Sequence, residues 1–188
     1  MTEWSERQRV NGQTFREYVE SRQYEGVVAF DPDSTIEHAH FEQFRFACVD
    51  HASVVEEKDA ATLILSTNSH GTLWSDYDGD KNEGEIHPGI FHFVPVGTIQ
   101  RYDFKGATDN IATLIRPELI STLRDQNPEI ADVSLDEPWR GFVQPRMAKL
   151  VVNQNRLVRS GEMGWRSLAD ANMVQIGVEL MCLMANRK

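Results

Sequence analysis

The chain has 188 residues, 40% of them hydrophobic, and a formal net charge of −10 at pH 7. That length supports one well-packed domain with a helical extension and no second independent core. The acidic balance excludes unaided binding to a phosphate backbone, and two lone cysteines, Cys48 and Cys182, without C-x-x-C spacing, exclude a disulfide framework and fit a reducing cytosol.

The N-terminus has no apolar h-region, and no run of 18 apolar residues occurs, so neither secretion nor membrane spanning is expected and the expected location is cytoplasmic. Residues 1–10 read as a mobile arm. Phe15, Tyr18, Val19 and Arg22 recur at helical spacing and predict a short amphipathic helix over 14–22. From residue 26 the period changes. Strands are predicted over 27–30, 35–46, 48–56, 61–66, 71–77, 84–94, 99–104 and 110–115, broken by Asp31-Pro32-Asp33-Ser34 and by the polar run 78–84, which reads as a turn. Many short strands at close spacing indicate an antiparallel sandwich or barrel. The strand signals then stop. Pro117 heads a short helix and Pro145 a second one, in which Met147, Leu150, Val151, Gln154, Leu157 and Val158 keep helical spacing up to Gly161. A third helix is predicted over 168–185 with Ser167 as N-cap and Asp170 at N3. Its polar residues Asn172, Gln175 and Glu179 form one narrow stripe, so it carries two apolar rows. One row, Met173, Ile176, Leu180 and Met184, is left for either an interaction surface or packing within the same subunit.

Gly89 to Gln100 is the stretch around which these elements are ordered. It is a short apolar strand interrupted by His92 and closed by Pro95-Val96-Gly97, where Pro fixes φ and Gly tolerates φ > 0. Its G-x5-P-x-G pattern resembles the second signature of the cupin barrels, with Gln100 at the position usually held by a metal-binding His. The order of barrel, Gly/Pro/Gly turn, last strand running into a Pro-headed helix (Leu114-Ile115-Arg116-Pro117) and two further helices resembles the N-terminal sensor and dimerisation domain of AraC-family transcription regulators. The resemblance spans about 60–186. It implies an α+β fold, a cupin-like antiparallel β-barrel (double-stranded β-helix) followed by a helical dimerisation and linker segment. The divisions would be an arm and helix over 1–25, a barrel over 26–116 and the helical segment over 117–188. It implies a small-molecule effector, a homodimer through Met173, Ile176, Leu180 and Met184, and DNA contact only through a C-terminal helix-turn-helix domain that is lacking here, as in a truncated piece or a stand-alone sensor.

Six histidines invite a metal reading. His38-x-His40 has the spacing of two ligands on one strand face. However, the cupin ligand set also needs a Glu soon after and a late His, and Phe44, Arg45 and Gln100 stand in those places, so no metal and no cofactor are expected. The inward barrel face is the expected ligand site. Alternation puts Trp74 with Asp76, and Gln100 with Tyr102 and Phe104; with His92 and His40 these are the candidate ligand-binding residues, Trp74 having core packing as its alternative. Arg45, flanked by two phenylalanines, is expected to face solvent. No G-x-S-x-G, Walker or G-x-G-x-x-G motif is present, so no catalytic residue is assigned. The rival reading is a metal-independent cupin isomerase or epimerase, using His92 or His40 with Tyr102 for proton transfer, or a stand-alone small-molecule-binding cupin.

Overall fold

Alternating and β-branched sequence over residues 28–115 forms strands, and the helices follow. The computed structural model describes residues 15–23, 28–57, 59–161 and 163–187; the arm expected over 1–10 lies outside them. In chain order they are α1 (Phe15–Gln23), β1 (Val28–Glu37), β2 (Phe41–Glu56), β3 (Ala61–Ser66), β4 (His70–Tyr77), β5 (Asp80–Ile86), β6 (Ile90–Val94), β7 (Ile99–Ile115), α2 (Pro117–Gln126), β8 (Trp139–Val143), α3 (Pro145–Ser160) and α4 (Trp165–Ala185). All strand pairs are antiparallel, in the order β1-β2-β7-β3-β6-β8, with β4 joined to β7 and β5 to β4.

Two long strands make the barrel. β2 and β7 pair along their whole lengths, and a bulge sets Lys105 and Gly106 opposite Asp50, where the Gly106 amide donates to Asp50 Oδ1 at 2.6 Å. Beyond that kink the other edge of β7 changes partner, pairing with β4 through its first half and with β3 through its second. The sheet thereby folds over on itself, as bulges allow. At the kink Gly71 and Gly106 lie backbone to backbone with φ of 147° and 133°, and a Cβ on either would run into the other strand. Positive φ without steric cost requires glycine at this crossing.

Several expectations change. Asp31-Pro32-Asp33-Ser34 does not end a strand; it is a bulge inside β1, with Ser34 Oγ accepting from the Arg45 amide at 2.9 Å. The polar run 78–84 is mostly strand: only Asp78 (φ 51°) and Gly79 (φ 95°) turn, a two-residue hairpin of the kind whose twist matches its strands. Gly89, expected inside one strand, instead ends the turn that separates β5 from β6.

The sheet has an apolar face on each side. Inside the barrel, Val28, Phe44, Phe46, Val55, Phe104 and Ala112 pack with Phe15, Tyr18 and Val19 of α1, so α1 closes the barrel mouth. Outside, Leu63, Leu65, Phe91, Phe93, Ile111 and Ile115 take the helices. α4 begins at Trp165 after Gly164 (φ 83°), so Ser167 lies within its first turn and is not the N-cap. It is long and apolar enough to cross a membrane, with mean hydropathy 1.3. Its Ala169, Met173, Ile176, Leu180 and Met181 are buried against the barrel and the other helices, so one face of it belongs to the core of this fold. Gly177 admits the Leu123 side chain of α2 at their crossing.

Candidate functional site

The Pro95–Thr98 turn fixes the end of the barrel where the site begins. Gly97 (φ 86°) donates its N–H to Glu57 O at 2.5 Å, and the Glu57 amide donates to Thr98 O at 3.1 Å. The chain end of β2 is thus clipped to the start of β7, and Gln100, two residues on, donates from Nε2 to Glu57 Oε1 at 2.6 Å. Both side chains are 2% exposed. Burial pushes the Glu57 carboxyl up to about 8, which the hydrogen bond from Gln100 only partly offsets.

Strand alternation turns Gln100, Tyr102 and Phe104 into the barrel. Beyond the bulge Thr108 and Asn110 continue the same face. With Phe15, Phe46, Tyr77 and His92 they line a cavity of about 70 Å³. One wall is a hydrogen-bonded cluster, in which Asn110 Oδ1 accepts from Ser66 Oγ at 3.1 Å and Thr108 Oγ1 at 2.8 Å. Another is His92, 8% exposed, with neither ring nitrogen partnered among the described residues. Desolvation, with the nearby Arg140 charge adding to it, lowers His92 to about 4. Arg140 itself lies 3.9 Å from the centroid of Tyr77 and pairs with Asp80 at 2.5 Å. Phe15 lines this cavity and also a wider polar groove outside it, bounded by Arg16, Glu42 and Arg116, so α1 is the partition between them. Among the described residues no three His, Cys, Asp or Glu side chains converge as a metal site would require.

Four of the expected ligand residues, His92, Gln100, Tyr102 and Phe104, thus share one cavity. Three do not. Trp74 and Asp76 do share a face of β4, but the outer one: across the β4–β7 pair they oppose Asp103 and Arg101, while Leu73, Ser75 and Tyr77 oppose the inward Phe104, Tyr102 and Gln100. Asp76 accepts from the Gly79 amide at 2.7 Å and so holds the hairpin turn. His40 is exposed in the turn between β1 and β2, not on a strand; His38 beside it stacks on Phe41 and meets Asp170 at 3.3 Å. That removes His40 from any proton-transfer pair with Tyr102. The assignment of Met173, Ile176, Leu180 and Met184 to a partner is corrected as well: the first three are at most 1% exposed within their own subunit and Met184 packs against the same core. Arg45 points outward and pairs with Asp109.

Sequence reasoning missed Glu57, Tyr77, Asn110, Thr108 and Ser66. Tyr77 was within reach, since an antiparallel partner of inward Gln100 must itself be inward, but the register that pairs them is a tertiary fact.

No protein-family model matches the chain, and no curated protein matches it. Solved structures do. The crystal structure of the AraC-like transcriptional activator CuxR aligns with a TM-score of 0.56 at 15% identity, over 95% of this chain and 68% of that one. The Cnp3 cupin domain of Schizosaccharomyces pombe aligns at 0.40 and 13% identity, over 52% and 71%. The EutQ protein of Clostridium difficile aligns at 0.38 and 13%, over 47% and 62%. The fold is cupin-like. Within the cupin-like barrel the cavity lies between the two halves of the folded sheet, and at such identities the likeness speaks for architecture alone.

Proposed function

We propose that this chain is the effector-sensing part of a transcription regulator of the AraC type, binding a small molecule in its barrel and controlling an attached helix-turn-helix domain. The observation that carries the reading is a mostly apolar cavity in which a buried histidine keeps two nitrogens unpartnered among the described residues, beneath a helix that forms part of its wall. Concave apolar sites with a few polar groups are how proteins hold small ligands. Ligand in the cavity would bear directly on Phe15, and thereby bias the seating of α1. The likeness to an AraC-like activator along nearly the whole chain, helices included, supports the regulatory role over a free-standing binder.

The regulator would act as a homodimer in the cytoplasm. The surface available for pairing is the outer row of α4, where Leu168 is 51% and Val174 41% exposed, with Ala171 and Cys182 also exposed. Small side chains there let two such helices approach closely about a two-fold axis, the commonest closed arrangement. The proposal is tested by replacing the sensor of an AraC-type activator with this chain and reading a reporter from that activator's promoter. Output should change with a small-molecule extract of the host cells, and the change should vanish in Leu73→Trp, which fills the cavity. Output indifferent to every extract fraction would overturn the reading.

A further inference from the structure

The pairing proposed above leaves open how two subunits face each other, and the charges beside α4 bear on it. α3 carries Arg146, Lys149, Arg156 and Arg159 and no carboxylate, in a chain whose formal charge is −10. All four are exposed, and Val152 among them is 44% exposed. Arg146 pairs with Glu179 of α4 at 2.9 Å; the other three have no ion-pair partner among the described residues. α2 and the segment after it are the opposite. Glu118, Asp125, Glu129, Asp132, Asp136 and Glu137 are exposed there, and Arg124, which donates to Val133 O at 2.6 Å, is the one cation from 117 to 138.

These two surfaces flank α4 on opposite sides. Glu179, which meets α3, lies about 200° around the helix from Gly177, which meets Leu123 of α2. α3 runs antiparallel to α4, since Arg146 meets Glu179 while Gln154 Nε2 meets Met173 Sδ at 3.9 Å. α2 runs parallel to it: Arg116 shares a groove with Ala169, Leu123 meets Gly177, and Pro128 shares a groove with Met184. Lys149 and Asp125 therefore lie within about a turn of one level, one on each flank. A two-fold axis along α4 lays α3 of each subunit over α2 of the other and brings Lys149 to Asp125. An axis across α4 lays α3 on α3, cations against cations. Opposite charges steer association and like charges oppose it. Resting on the pairing proposed above, we infer that the chain binds a second copy with the two α4 helices parallel, the basic face of α3 in each subunit lying against the acidic α2 flank of the other. Both α4 C-termini then leave at one end, where a pair of DNA-binding domains would be carried together. Val152 gives the basic stripe an apolar centre, which suits a protein surface and not a phosphate backbone.

Charge reversal in the full chain tests the arrangement, with mass followed by sedimentation equilibrium. Lys149→Glu and Asp125→Lys each place two like-charge contacts in a homodimer, and each should weaken it by about tenfold, less at high salt. An equimolar mixture restores opposite charge at both contacts, so the heterodimer should regain wild-type affinity, which also shows that both variants are folded. Parallel helices set the two copies of exposed Cys182 level, so a bismaleimide spanning about 10 Å, the separation of packed helices, should join wild type and fail with Cys182→Ser. Unchanged affinity in both single variants, a mixture no tighter than either alone, or a wild-type dimer that the reagent does not join would each overturn the inference. So would Lys149→Glu pairing with wild type more tightly than wild type with itself, as α3 on α3 requires. Duplex DNA bound by wild type and released by Lys149→Glu, with dimer mass unchanged, would give the stripe to phosphate and overturn it too. Loss of the dimer in Val174→Glu together with indifference to both charge reversals would leave pairing through α4 standing and strike the orientation alone; a monomeric wild type would strike both.

Discussion

Glu57 shows how one buried group sets a pH response. Its carboxyl titrates near 4.5 when exposed and is pushed up to about 8 in the folded chain, first by burial. Between those values the folded state holds a proton that the unfolded state has released, so stability falls as pH rises through the window. His92 works in the opposite sense: with a folded value of about 4 against an ordinary 6.5, it removes stability as pH drops from 6.5 towards 4. From pH 6.5 to 8 Glu57 is therefore the group that acts. Urea unfolding should show stability declining by up to about 2 kcal/mol over that interval, from the limiting slope of 1.36 kcal/mol per pH unit. Glu57→Gln, which keeps an acceptor for Gln100, should abolish the decline; a variant that declines as steeply as wild type would place the proton elsewhere. Nothing in the sequence marks Glu57, one of 29 acidic residues, because its burial comes from the Pro95–Thr98 turn clipping it to β7.

Elements were more legible than their surroundings. A short apolar run locates β3 with its bounds intact, and Pro117, Pro145 and Gly161 mark the ends of α2 and α3 because each carries a backbone constraint. Lys105-Gly106-Ala107 reads as a break between two strands, yet β7 runs through it, since Gly106 serves a strand crossing and not a turn. β8 escapes notice because Trp139–Val143 is short, contains a glycine, and becomes a strand only by pairing with β6. Periodicity also gave α4 two apolar rows without saying which faces the barrel, and the structure reverses the assignment. Ile176→Glu with Leu180→Glu should therefore unfold the chain, each charge entering a fully buried site at a combined cost of about 5 kcal/mol or more. Val174→Glu, on the exposed row, should keep the circular dichroism and melting temperature while halving the mass by light scattering. A folded double variant, or a Val174→Glu protein that keeps the wild-type mass while wild type is dimeric, would contradict this account of α4.

At the scale of the molecule, a cupin-like barrel supplies the cavity, and the helices on its outer face carry the surface proposed for pairing. The charge of −10 bears on the division of labour. Duplex affinity depends on Lys and Arg neutralising phosphates, so this chain alone should give no sequence-selective gel shift at 150 mM salt, about physiological strength. Selective binding that survives that salt would assign it a DNA surface of its own. The central claim, however, is that the barrel is built to hold a small molecule. It is tested most directly by incubating the purified chain with a small-molecule extract of its host, removing free solutes, denaturing the protein and identifying by mass spectrometry what is released. Wild type should release a small molecule in stoichiometric amount, and Leu73→Trp, folded but with its cavity filled, should release none; identical release from both, or none from wild type, would contradict the account.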